Sequence, residues 1–251
     1  MVIDLNCDLG ESFGAYRMGE DEAMMTLVTS VNIACGFHAG DPQVMAQTVH
    51  LAALASVAIG AHPGYPDLQG FGRRDMQIAP REVEALIVYQ VGALMGFCRA
   101  EGVNLVHVKP HGALYNQAMK NKELASAIVN AVACLDKNLK IVGLPGSELL
   151  IAAEKVGIPI LAEGFPDRGY SADGTLMPRT LPGAIIHEPG QIAEHAVELA
   201  SRGIGVNLGG QTEFRRVDTL CLHGDHPRAL ENAKAVRTAL ERAGIFIRKP
   251  E

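Results

Sequence analysis

Histidines, acids and glycines gather in this chain just after short apolar runs. The pattern repeats in "NCDLGES" (Asn6, Asp8, Glu11), "CGFHAGD" (His38, Asp41) and "GAHPGYPD" followed by "GFGRRD" (His62, Asp67, Arg73, Arg74). It returns in "VKPHGALYN" (Lys109, His111, Tyr115, Asn116), "AEGFPDRGY" (Glu163, Asp167, Arg168) and "CLHGDHP" (His223, Asp225, His226). With His107 just below one of these ends, six of the nine histidines fall here, and His50, His187 and His195 read as ordinary helix or loop residues. Histidine is the side chain that carries protons near neutral pH, so its clustering at one set of chain positions points to a reaction site. Glycines beside these residues let the backbone approach a ligand closely.

Two chemistries fit such a ring. In one, Asp8, His38 and His62 hold a metal ion with a position open for water. No HxH or HxxxH pair, however, puts two of these ligands on one element. In the other, no metal is needed and the target is an amide-like bond. Asp8 or a histidine activates water, Lys109 steadies the developing oxyanion, and His111 protonates the leaving nitrogen. Lys109 paired structurally with Asp8 or Glu163 is the plain alternative. Asp4, deepest in the first apolar run, reads as structural. The chain has no GxxxxGK(S/T) phosphate loop, no GxSxG and no GxGxxG. "GLPGSELL" sets Ser147 at a helix start, where an N-cap explains it as well as a bound anion does.

The elements that must position these residues alternate. Short runs rich in Val, Ile and Leu predict strands at 2–9, 31–36, 57–61, 104–109, 140–144, 159–163 and 219–223. Helical spacing predicts helices over 43–55, 81–101, 122–135, 147–156, 191–202 and 227–243. Asp41-Pro42 caps the first of these, and Gly102, Gly157, Gly203 and Gly244 follow the ends of four others. Repeated strand–helix units predict a parallel sheet. Side chains alternate along a strand, so Asp4, Asn6 and Asp8 share one face, and His107, Lys109 and His111 share another. An open parallel sheet covered on both faces is apolar throughout. A polar face predicts instead a barrel with a wet interior, with seven strands and a single domain over 1–251. The stretch 164–189 is long for a loop and breaks the rhythm. "GIGVNLGGQTEFRR" is expected to pair with part of it as a small hairpin.

Composition narrows the partners. The chain has 251 residues, 48% of them hydrophobic, and a net charge of −6. An acidic surface disfavours nucleic acid and anionic membranes. No run of about 18 apolar residues predicts a membrane span. The first residues, "MVIDLNCDLGES", carry acids where a signal peptide needs bases, which leads to the expectation of a cytoplasmic protein. The five cysteines form no CxxC, so neither a disulfide framework nor a zinc ribbon is expected, and most read as buried apolar residues.

The stretches "DLNCDLGESFG", "NIACGFHAGDP", "GAHPGYPD" with "GFGRR", "VKPHGALYN", "DRGYSADGTLMPR" and "LCLHGD", in that order, resemble the LamB/YcsF family from the first strand to the last helix. The resemblance implies an α/β fold: a distorted seven-stranded (β/α) barrel akin to the glycoside hydrolase/deacetylase superfamily. It implies the A-subunit role in ATP-dependent 5-oxoprolinase. There 5-oxo-L-proline is hydrolysed to L-glutamate with ATP as co-substrate, in a complex with subunits B and C. ATP would then be handled largely by those partners, and a metal requirement stays open. Mapped onto this chain, Asp8, His62, Lys109 and His111 are the expected catalytic residues. Asn6, His38, Arg74, Glu163 and Asp225 are expected to bind substrate. The alternatives are a metal-dependent, deacetylase-like hydrolase of carbohydrate amides and a non-catalytic subunit that binds a small molecule.

Overall fold

The computed structural model describes residues 1–207, 210–214, 216–224 and 228–250. In chain order its elements are β1 (Val2–Leu9), α1 (Asp21–Met25), β2 (Ser30–Ala34), α2 (Pro42–Ala55), β3 (Ala58–His62) and α3 (Pro80–Ala100). Then come β4 (Leu105–Val108), α4 (Gly112–Ala118), α5 (Lys122–Leu135), β5 (Lys140–Gly143), α6 (Glu148–Lys155) and β6 (Ile160–Gly164). The chain finishes with α7 (Pro189–Arg202), β7 (Ile204–Asn207), β8 (Gly210–Glu213), β9 (Thr219–Leu222), α8 (Ala229–Arg242) and β10 (Phe246–Ile247).

Seven parallel strands close into a ring. The order runs β1-β2-β3-β4-β5-β6-β9, and β9 returns to β1 with Asp4 opposite Thr219 and Asn6 opposite Cys221. These are the seven strands expected from the sequence, each within two residues of its predicted bounds. Three short elements escaped prediction: α1, α4 and the two-residue β10, which pairs with the start of β1. Each is too short to show a period. The hairpin differs from expectation. β7 pairs antiparallel with β8, inside "GIGVNLGGQTEFRR" itself, rather than with the 164–189 stretch. It touches that stretch through its flank, where Phe214 packs on Tyr170. The long stretch is tied down from within. The buried Arg168 guanidinium donates to the Ala184 and Met177 carbonyls at 3.0 and 2.6 Å, and the Tyr170 hydroxyl accepts from the Phe165 N–H at 2.7 Å.

The barrel has two cores because its strands alternate. Leu5, Cys7 and Leu9 point outward into the apolar layer beneath the helices, while Asp4, Asn6 and Asp8 point inward. α3 shows the outer layer well. It is the one helix among the described residues long and apolar enough to cross a membrane, yet Val83, Ile87, Val91, Leu94 and Cys98 form a buried stripe, as in a core helix. All five cysteines are free, and four of them are buried.

The inner core is polar and filled in tiers. At the bottom, Asp4 accepts hydrogen bonds from the Thr29, Ser30 and Thr219 hydroxyls at 2.7, 2.7 and 2.5 Å. This bears out its structural reading. Above it, Asn32 donates to Asn6 and Asp8, both at 2.8 Å, and accepts from His107 Nε2 at 2.6 Å. The His107 ring fits because Gly60 opposes it, at a point where the β3–β4 register shifts. A Cβ on Gly60 would stand 2.0 Å from His107 Nε2. Gly60→Ala is therefore expected to destabilise the protein by at least the ~1–3 kcal/mol usual for overpacking, with His107 expelled from the tier. Denaturant unfolding beside the wild type checks this, and an unchanged midpoint would refute it.

Candidate active site

The upper tier opens into a cavity of about 940 Å³ at the carboxyl ends of the strands, the usual place for a site in such folds. All four expected catalytic residues, Asp8, His62, Lys109 and His111, line it. Each comes from a strand end or the turn after it. β1 supplies Asp8, β3 supplies His62, and Lys109 and His111 follow β4.

Lys109 sits at the centre. Its ammonium lies 3.0 Å from Asp8 Oδ1, 2.8 Å from Glu163 Oε1, 3.0 Å from Cys221 Sγ and 3.3 Å from Asn6 Oδ1. Burial opposes its charge, but the Asp8 and Glu163 carboxylates outweigh burial and push the ammonium well above the usual lysine range. Asp8 mirrors it. Burial would raise the carboxyl, yet His62 and Lys109 hold it well below the usual carboxylate range. The pair is thus charged, and Lys109 is placed to attract negative charge rather than to accept a proton.

The histidines form a block beside this pair. His38 stacks on His111 with centroids 3.7 Å apart and planes 5° from parallel, and His62 meets His111 edge-on at 86°. His62 Nδ1 donates to the Lys109 carbonyl at 2.7 Å, and His111 Nε2 donates to the Phe71 carbonyl at 2.7 Å. Burial, reinforced by the neighbouring imidazoles, pushes His38 and His111 well below the usual histidine range, so both are neutral. Phe71 aims its carbonyl from a left-handed backbone (φ 54°), a strained conformation for an aromatic residue. Gly72 follows with φ 63°, and a Cβ there would lie 2.7 Å from both His38 and His111. The "GFG" turn therefore moulds the histidine block.

The expected substrate-binding residues fare differently. Asn6 and Glu163 are fully buried, beneath the cavity rather than in it. Asn6 bonds to Glu163, Thr219 and Asn32, and Glu163 also accepts from the Tyr115 hydroxyl at 3.0 Å. Both are saturated, so they hold Lys109 in place. His38 is buried behind His111. Arg74 is a correction. It points out to solvent and pairs with Asp67, while its neighbour Arg73 lines the cavity. Asp225, like His226, lies outside the described residues. A strand-end reading locates the inward face but not the depth, which is why deep residues passed for lining ones.

The cavity brings in residues beyond those expected. Glu11, Phe71, Arg73, Tyr115, Arg179 and His223 all line it. His223 Nδ1 donates to Asp167 Oδ2 at 2.6 Å, and its Nε2 accepts from the Arg179 guanidinium at 3.2 Å. Asp167 resists the upward push of burial because His223 and nearby arginines hold its carboxyl down. Phe165 stacks with His223 at 5.9 Å and lies 5.3 Å from the Lys109 ammonium, so it joins the two polar clusters. His223, Asp167 and Glu11 were visible as strand-end residues, but nothing in their spacing paired them.

Fold and polar lumen together define a closed seven-stranded (β/α) barrel with its cavity at the carboxyl ends of the strands. The deacetylase Bc1974 from Bacillus cereus superposes with a TM-score of 0.51 at 11% identity, over 100% of this chain and 92% of that one, a likeness of fold alone. The chain belongs to the LamB/YcsF family, whose family model matches residues 3–251. A lactam utilization protein from Thermus thermophilus superposes with a TM-score of 0.94 at 47% identity over the whole of both chains. The 5-oxoprolinase A subunit of Symbiobacterium thermophilum is 53% identical over 99% of this chain and 95% of its own. That of Pyrococcus abyssi is 51% identical over 98% and 97%.

Proposed function

We propose that this chain is the A subunit of an ATP-dependent 5-oxoprolinase and opens the lactam ring of 5-oxo-L-proline to give L-glutamate. The observation that carries the chemistry is the Lys109 ammonium, held charged at the cavity floor by Asp8 and Glu163. There it stabilises the negative charge on the lactam carbonyl oxygen and on the phosphoryl group that this oxygen receives before water adds. Near-full-length identity to the A subunits of other 5-oxoprolinases supports the substrate.

Lys109 supplies the positive charge of the cavity floor, and Asp8, His62 and His111 pack around it. His111 spends its N–H on Phe71, so it is not the free acid expected from sequence. His223 takes the proton role. Its Nε2 accepts a proton from the attacking water and returns it to the ring nitrogen as the C–N bond breaks, while Asp167 fixes the tautomer. In the free protein Arg179 covers that nitrogen. The carboxylate of 5-oxoproline draws Arg179 away and so couples binding to activation. An unstrained amide resists water, which is why ATP is consumed: its terminal phosphoryl group passes to the carbonyl oxygen with release of ADP, water adds to the now electrophilic carbon, the C–N bond breaks to leave an acyl phosphate, and a second water frees inorganic phosphate and glutamate. The cavity, at the upper end of the ~300–1,000 Å³ usual for small-molecule sites, has room for that phosphorylated form. With no phosphate loop in the chain, ATP is held mainly by subunits B and C in a cytoplasmic complex.

The test is glutamate release from 5-oxoproline by this chain, alone and with subunits B and C, with and without ATP. Release needing all of them is expected. No release from the full mixture overturns the reading. Arg179→Ala in that mixture is expected to raise KM about 10- to 100-fold, the worth of one charge-assisted carboxylate contact, with a smaller fall in kcat. An unchanged KM would remove Arg179 from substrate recognition.

A further inference from the structure

His62 and His111 present an electrostatic conflict. A carbonyl oxygen only accepts, so the bond to the Lys109 carbonyl puts the His62 proton on Nδ1, and the bond to the Phe71 carbonyl puts the His111 proton on Nε2. A neutral imidazole has one N–H. The two nitrogens left over, His62 Nε2 and His111 Nδ1, face each other at 2.9 Å, an approach that needs a proton or a metal ion held between them. Two lone pairs repel at that distance unless a positive charge lies between them.

Carboxylates converge on the same point. Asp8 Oδ2 is 3.4 Å from His62 Nε2, and Glu11 Oε1 is 3.9 Å from His111 Nδ1. Ligand atoms about 2.1 Å from a tetrahedral metal lie about 3.4 Å from one another, close to these separations. One atom from each of Glu11, His38, His62 and His111 falls within 4.8 Å of all the others. His38 is the fourth member of that group. It is fully buried, neither ring nitrogen has a hydrogen-bond partner, and its Nε2 stands 3.5 Å from Glu11 Oε1. Each of His62 and His111 also donates its other N–H to a backbone carbonyl, the arrangement that fixes metal-ligating imidazoles.

We propose that His62 Nε2, His111 Nδ1 and the Glu11 carboxylate, with Asp8 Oδ2 beside them, bind one divalent transition-metal ion of the zinc class. His38 lies parallel to His111, so its lone pair does not converge with that of His111; it packs behind the site, with Nε2 3.5 Å from Glu11 Oε1. A divalent ion fits the charge better than a shared proton does. Asp8 and Glu163 already outnumber the Lys109 ammonium between them, and Glu11 adds a further carboxylate. Compared with the triad considered from sequence, His111 and Glu11 take the place of His38. The role of the ion rests on the lactam-hydrolase reading: when bound, it would supply a Lewis acid beside Lys109. Its binding does not rest on that reading.

The experiment is titration of the chelator-treated, dialysed full chain with Co²⁺ and Zn²⁺, following the visible absorption of Co²⁺ and the heat of Zn²⁺ binding. One equivalent is expected, with the absorption strength of a four- or five-coordinate site and a raised thermal midpoint. His62→Ala and His111→Ala are each expected to weaken binding at least 100-fold, while His50→Ala, on the surface, leaves it unchanged. If those two variants unfold, imidazole ¹H–¹⁵N spectra of the wild type decide. Shifts of His62 Nε2 and His111 Nδ1 on adding Zn²⁺ support the site, and a shared proton with no response to Zn²⁺ overturns it. Failure of the wild type to bind one equivalent also overturns it, as does undiminished binding in both folded variants. Metal binding without glutamate release by the complex leaves the site standing and removes the oxoprolinase reading. Release that survives chelation, with no Co²⁺ bound, does the reverse.

Discussion

Lys109→Met is expected to lower kcat for glutamate release by about 10³-fold or more. One preorganised donor to a developing oxyanion is worth about 10²–10³ in rate. Here the donor carries a full charge in a nearly dry site, against the Phe165 ring and between two carboxylates. The substitution also leaves Asp8 and Glu163 without their common cation, and breaking a buried pair in this way costs about 3–5 kcal/mol of stability. The two effects separate in a double variant. Lys109→Met with Glu163→Gln is expected to recover much of the thermal midpoint and none of the rate. A lysine that merely braces the barrel would recover both. Lys109→Arg is no substitute, because the planar fork does not fit a point occupied by Asp8, Glu163, Asn6 and Cys221 together. A kcat for Lys109→Met within 10-fold of the wild type would remove this residue from the chemical step.

The protein is expected to lose stability steeply as pH falls below about 6.5. His107 is the clearest cause. Burial, then the Lys109 and Lys140 charges, push its pKa down to about 3 in the fold. In the unfolded chain it protonates near its ordinary value of about 6.5. Between those values the unfolded state holds the extra proton, so stability falls with falling pH by about 1.4 kcal/mol per pH unit. His38, His111 and His195 are displaced in the same direction and add to the loss. Asp4 opposes it. Burial raises its carboxyl to about 6, so the folded state takes up that proton first, and acidification from about 6 toward 4 is stabilising at this one site. Asp8, held low in the fold, contributes stability that is lost only below about pH 4. Urea unfolding at several pH values between about 7 and 5 measures the sum. His107→Gln keeps a donor for Asn32 and removes one titration, so its slope is expected to be flatter by about 1.4 kcal/mol per pH unit. A variant with the wild-type slope would mean that His107 protonates inside the fold.

Much of this molecule is legible from local pattern. The seven strands follow from apolar runs of strand length, and the inward face of β1 follows from the alternation of Asp4, Asn6 and Asp8 with Leu5, Cys7 and Leu9. Both are properties of neighbouring residues, and neighbours are what a sequence displays. The four lining residues Asp8, His62, Lys109 and His111 follow for the same reason, since strand ends mark the rim of such a sheet. Depth is not a local property. Asn6 and Asp8 occupy the same face of one strand, yet one is sealed under Lys109 and the other meets the cavity. Adjacent Arg73 and Arg74 diverge because the "GFGRR" turn sends one to the cavity and the other to Asp67.

Pairings across the barrel belong to tertiary structure alone. His223 finds Asp167 56 residues away, and Lys109 joins Asp8 and Glu163 only because β9 returns to β1 and closes the ring. The tautomers of His62 and His111 depend on which carbonyl each ring meets, and those carbonyls are placed by Lys109 and by the left-handed turn at Phe71. Composition and periodicity determined that a parallel barrel would carry acids, histidines and a lysine on one rim. Closure of that barrel decided which of them touch, because charge and proton position depend on distances of a few ångströms between residues far apart in the chain.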